Sequence, residues 1–113
     1  MKYIDKLGIV LQSLEEMKAD NVSYFDVKKI TTITDFMIIA SGRSETHTKA
    51  IARNLIDFCK KNKLMAMSIE GEDSGEWVCI DFVDIVVHIM MPKIRDFYSI
   101  EDLWDISTSQ NSN

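Results

Sequence analysis

Residues Glu76–Met91 read EWVCIDFVDIVVHIMM, and the way this stretch folds decides the rest. Side chains alternate along a strand. In one half, Trp77, Cys79 and Asp81 share a face and Val78 and Ile80 share the other. In the second half, Asp84, Val86 and His88 lie opposite Ile85, Val87 and Ile89. An antiparallel hairpin about Phe82-Val83 puts Trp77 opposite His88, Cys79 opposite Val86, and Asp81 near Asp84. Val78, Ile80, Ile85, Val87 and Ile89 then make a wholly apolar face for a core. The other face mixes an aromatic, a histidine and two acids, which is not the composition of a second core face. Phe82-Val83 makes a poor two-residue turn, because such turns need positive φ and β-branched Val disfavours it. A wider loop using Asp81–Asp84 is expected.

The flanking segments follow from the same periodicities. EGEDSG (70–75) is a turn, and LMAMSI (64–69) before it reads as a strand. Upstream, Tyr3–Ala19 repeats Ile4, Leu7, Leu11, Leu14 and Met17 at spacings of three and four, an apolar helical stripe that Asp20-Asn21 ends. Val22–Lys28 and Asp35–Ala40 read as strands, the second buried. Ser44 is a candidate N-cap for a helix over Glu45–Asn62, with Ile51, Leu55, Phe58 and Cys59 inward and Lys60, Lys61 and Lys63 complementing its dipole. Downstream, Pro92 removes a ladder donor and ends the sheet. Ser99–Asp102 resembles a capping pattern for a short helix through Trp104. The expected class is α/β: a mixed sheet of about five strands with helices packed on it.

Composition bounds the function. One domain of 113 residues, 46% apolar and 27% charged, is that of a soluble globular protein. No apolar run approaches the roughly 20 residues of a membrane helix. MKYIDKLG places an acid and a lysine where a signal peptide keeps its apolar run, so a cytoplasmic location is expected. Cys59 and Cys79 form no C-x-x-C pair and read as reduced, buried thiols. Residues 70–105 carry ten acids against Lys93 and Arg95, while residues 1–69 carry eleven Lys/Arg against eight acids. The acidic part argues against nucleic-acid binding there and suits a basic partner.

Two chemical readings need weighing. Asp81, Asp84 and His88 could ligate a divalent metal. Against that, Asp favours hairpin ends for local hydrogen-bonding reasons. Ser41-Gly42-Arg43-Ser44, between a strand and a helix N-terminus, could hold a phosphate. A nucleotidyl-transfer site would also need paired carboxylates, typically D-x-D, to hold metals. No D-x-D occurs, and Glu70-Gly-Glu72 lies in a turn. A helix cap and a turn account for both stretches, and no cofactor or metal is expected.

DFMIIASGRSETHTKAIA, EGEDSGEWVCIDFVDIVVHIM and RDFYSIEDLWD, in that order, resemble the ribosomal silencing factor family, RsfS or Iojap-like. The resemblance covers about Tyr3–Ile106, implying a single domain over residues 1–106; the polar tail STSQNSN (107–113) lacks an apolar anchor and is expected to be disordered. It implies a nucleotidyltransferase-like fold without the catalytic carboxylates, and no enzyme activity. It implies binding to the large ribosomal subunit through the ribosomal protein called L-fourteen. There, the bound factor would block joining of the small subunit and repress translation when nutrients are scarce. Some members assist large-subunit maturation, and free members tend to form homodimers. The family interface maps onto Trp77, Asp81, Asp84, His88, Arg95, Tyr98, Leu103 and Trp104, with Trp77 as anchor; Phe97, Leu103 and Trp104 could equally pack the last helix on the sheet. The family usually carries Gly where this chain has Val83, which leaves the turn geometry open. The alternatives are a small nucleotidyltransferase-like enzyme using Ser41, Gly42 and Ser44, and a homodimeric scaffold unrelated to ribosomes.

Overall fold

A computed structural model describes residues 2–103 of the chain. The elements are α1 (Lys2–Glu16), β1 (Asp20–Asp26), β2 (Phe36–Ser41), α2 (Glu45–Lys61), β3 (Ser68–Glu70), β4 (Trp77–Asp81), β5 (Ile85–Met90) and α3 (Pro92–Tyr98). The five strands form one sheet in the order β1-β2-β5-β4-β3. Among the described strands only β2 and β5 pair in parallel, so the sheet is mixed, as expected. Trp104 and the tail 107–113 lie outside the described residues. No described helix is long and apolar enough to cross a membrane.

The apolar face expected of the hairpin is the core. Val78, Ile80, Ile85, Val87 and Ile89 are buried with Ile38 and Ala40 of β2, against Val10 and Leu14 of α1 and Ile51, Leu55 and Cys59 of α2. Asn54 donates from α2 to the Ser13 hydroxyl of α1 at 2.9 Å, tying the two helices above that face. Ser44 caps α2 as expected, its hydroxyl accepting from the His47 amide at 3.0 Å. Gly71 turns the chain between β3 and β4 with φ 86, where a Cβ would strike the Trp77 carbonyl.

The hairpin register differs from expectation by two residues. Trp77 pairs with Met90, Cys79 with His88 and Asp81 with Val86. A two-residue slip preserves the faces, whereas a slip of one would have inverted them. The cause is the loop. The Phe82 amide donates to the Ile85 carbonyl at 2.8 Å, and the Asp84 amide to the Phe82 carbonyl at 3.0 Å. The latter bond closes a γ-turn on Val83, whose φ is 77. Val83 therefore holds a strained backbone where a Gly would be at ease.

Four other expectations are corrected. The second sheet face is also a core, with Phe25, Val27, Met37, Ile39, Val86 and Met90 buried together. Trp77, Cys79, Ile94 and Ile100 pack on its margin. Pro92 does not merely end the sheet; it occupies the first turn of α3, where its missing donor costs nothing. The helical turn expected after Ser99 is present over residues 101–103, but Ser99 makes no capping box for it. Ser99 ends α3 in the left-handed region at φ 49, and its hydroxyl donates back to the Asp96 carbonyl at 2.9 Å. Finally, α1 stops at Glu16, where Lys18 adopts φ 56 and the Ala19 amide returns to the Leu14 carbonyl.

Candidate functional site

The hairpin distributes the candidate residues between two ends of the sheet. Trp77 and Asp81 are four residues apart on β4, about 13 Å at strand rise. At the Trp77 end, the indole N–H donates to His88 Nδ1 at 3.0 Å, a diagonal contact across the β4–β5 pair. An indole nitrogen can only donate, so neutral His88 carries its proton on Nε2. Burial pushes the His88 imidazole down to about 4, which keeps it neutral near pH 7. His88, expected as a contact residue, is half-buried and supports the Trp77 ring through the indole hydrogen bond.

Rings build outward from this pair. Trp77 lies 5.0 Å from Tyr98, centroid to centroid, and Tyr98 meets the Phe97 ring edge-on at 4.9 Å. Trp77 itself is half-buried. Phe97 is 78% exposed and Leu103 64%, so neither packs the last helix onto the sheet. Glu76, Asp96 and Asp102 are exposed beside Trp77, Phe97 and Leu103 respectively. Trp77, Tyr98 and Phe97 form a ring cluster at the surface, and acids adjoin Trp77, Phe97 and Leu103 in the chain, the composition of an interface anchor with a polar rim. The three acids belong to the acidic stretch expected to suit a basic partner, whereas Phe97 was expected only to pack the last helix on the sheet. The unrecognised helix α3, which presents Phe97, is the reason.

Arg95 was expected on the surface and is buried. Its Nε and one terminal nitrogen donate to the two carboxylate oxygens of Glu101 at 2.7 and 3.1 Å. The other terminal nitrogen donates to the Ser41 hydroxyl at 2.9 Å, while the nitrogen that meets Glu101 also makes a longer 3.5 Å bond to the Ser23 hydroxyl. The Arg95 guanidinium holds the Glu101 carboxyl below its usual range. This cation is spent inside the molecule.

The other end uses its acids locally. Asp81 accepts from the Val83 amide at 2.7 Å, stabilising the turn. Asp84 accepts from Lys6 of α1 at 2.8 Å, a pair with both side chains nearly half exposed. Asp81 and Asp84 are thus separate from the Trp77 surface, and the seven candidates among the described residues do not converge on one site. Among the described residues, no three His, Cys, Asp or Glu side chains come together to hold a metal.

The Ser41–Ser44 loop is likewise committed internally. The Gly42 amide donates to the Met90 carbonyl at 3.2 Å, and the Arg43 amide to His47 Nδ1 at 2.9 Å. A Cβ at Gly42 would strike the Thr48 hydroxyl. Arg43 reaches Asp20 at 3.3 Å, and His47 Nε2 bonds the Met17 carbonyl at 2.8 Å. The loop fastens α2 to the end of α1. Burial pushes the Cys59 thiol up to about 12, and burial with the Asp81 and Glu70 charges raises that of Cys79, so neither is a ready nucleophile.

Comparison with known proteins identifies the group. The family model described as "Ribosomal silencing factor during starvation" matches residues 1–113. A Chromobacterium violaceum "Ribosomal silencing factor RsfS" is 40% identical over 101 residues, covering 89% of this chain and 81% of that protein. A Haemophilus influenzae protein of the same name is 36% identical over 95 residues, covering 84% and 93%. A crystal structure of a Chromobacterium violaceum protein superposes with a TM-score of 0.89 at 36% identity, covering 92% of this chain and 87% of that one. The chain belongs to the ribosomal silencing factor family, a family of regulators rather than of enzymes.

Proposed function

We propose that this family member docks on the large ribosomal subunit through ribosomal protein L-fourteen and sterically blocks the small subunit. The effect would be repression of translation under nutrient limitation, in the cytoplasm. One observation carries the docking reading: Phe97 and Tyr98 are exposed in a ring cluster with half-buried Trp77, which is itself held by a hydrogen bond to His88. A ring cluster held this firmly has the properties of a binding anchor, because little side-chain entropy is lost on contact. Glu76, Asp96 and Asp102 would orient a basic partner. Steric exclusion needs no cofactor, only specific docking and bulk.

Sucrose gradients with added protein test this function. The expected result is a shift from whole ribosomes toward free subunits. An unchanged profile, with the protein absent from the large-subunit peak, would remove the silencing reading. A homodimer in the free state belongs to the same proposal and is supported by the exposure of Phe97. Sedimentation velocity showing only monomer would remove that part.

A further inference from the structure

We infer that Arg95 is a positioning residue, which sets the docking surface in place without touching the partner. The inference rests on the docking reading above and deepens it. Its basis is where the anchors of this one side chain come from. Ser41 ends β2, Ser23 lies in β1, and Glu101 lies beyond α3. A single buried fork therefore joins two strands to the segment after the helix.

The segment needs such a clamp. At seven residues, α3 is far too short to be stable by itself. Ile94 and Ile100 are its partly buried apolar contacts with the second core. Greasy contacts of that kind tolerate sliding, whereas a bidentate guanidinium–carboxylate pair fixes direction and distance. What hangs on the clamp is the surface itself: Phe97 and Tyr98 on α3, and Leu103 two residues past Glu101. Tyr98 in turn meets Trp77, so a shift of α3 would separate the anchor ring from its neighbours. The larger core, between the sheet and α1 and α2, includes neither Arg95 nor α3. Loss of the clamp should therefore disturb the surface far more than the fold.

Two variants test this. Arg95→Met keeps the stem and removes the fork, leaving a partly exposed Glu101 to rehydrate. Glu101→Gln is the milder break, should the first fail to fold. Amide hydrogen exchange over 92–103 and over the strands is measured together with affinity for isolated large subunits at several salt concentrations. For Arg95→Met, exchange over 92–103 should rise about tenfold or more with strand protection retained. Affinity should fall by about tenfold with the salt slope unchanged, because no partner contact is lost. Glu101→Gln should act in the same direction, and the double variant should bind no worse than Arg95→Met. Wild-type protection over 92–103 in Arg95→Met would overturn the inference. So would a loss of affinity with a salt slope reduced by about one, which would mean Arg95 meets the partner directly. If the wild-type chain itself does not bind large subunits, the docking reading fails, and exchange over 92–103 alone decides whether Arg95 holds α3.

Discussion

The two ends of the β4–β5 hairpin are made of similar residue types and do opposite things with them. At the Trp77 end, polar groups are buried so that rings can be exposed: His88 accepts from Trp77, and Arg95 grips Glu101 beneath α3. At the Val83 end, polar groups are exposed and serve the backbone: Asp81 holds the turn and Asp84 pairs with Lys6. Charge alone made the two ends look like one acidic surface. The hydrogen bonds separate a built surface from a stabilised turn.

The contrast can be broken most severely at the anchor. Trp77→Ala is expected to cost at least about 2 kcal/mol of affinity for large subunits, whereas Asp81→Ala and Asp84→Ala should each cost under about 0.5 kcal/mol. Equilibrium binding to separated subunits compares the three directly; equal losses would merge the two ends again. A second test uses pH. The folded-state value of about 4 for His88 lies below its ordinary 6.5, so neutral His88 contributes stability that is full above 6.5 and lost as pH falls toward 4. The loss amounts to about 3 kcal/mol at most. Urea melts at pH 7 and pH 4 should show a smaller difference in His88→Gln than in the wild type. An identical difference would mean that His88 is not the titrating support of Trp77.

The turn offers the third test. Val83→Gly should stabilise the chain by about 1 kcal/mol, because relief of positive-φ strain exceeds the added freedom of the unfolded chain. Large-subunit binding should stay within about twofold, and a marked loss would place Val83 at the interface. The smallest effect is expected from Lys6→Met, about 0.5 kcal/mol or less in a denaturant melt, since both members of its pair with Asp84 are solvated.

Much of this architecture could be read from alternation and helical spacing. The core face of the hairpin, the mixed five-stranded sheet and the Ser44 cap all follow from local patterns. What was not legible depended on tertiary partners. The register moved because a γ-turn at Val83 is improbable from its residue type. The second core face was hidden because the hairpin's share of it mixes Trp77 and His88 with Asp81 and Asp84, yet Trp77 and Cys79 pack beside Met90 and Val86. Arg95 reads as a surface residue because arginine is rarely buried unpaired. Its partners Ser23 and Ser41 are 72 and 54 residues away in the chain. Phe97 reads as a packing residue because Pro92 signals the end of the sheet and does not by itself announce the start of α3.

The most direct test asks which end meets the partner. Hydrogen exchange of the chain, free and bound to isolated large subunits, resolves Trp77 and 92–103 from the 81–84 tip. The expected result is added protection at Trp77 and over 92–103, with the tip unchanged. Protection at 81–84 without any at the Trp77 end would contradict the assignment of the docking surface.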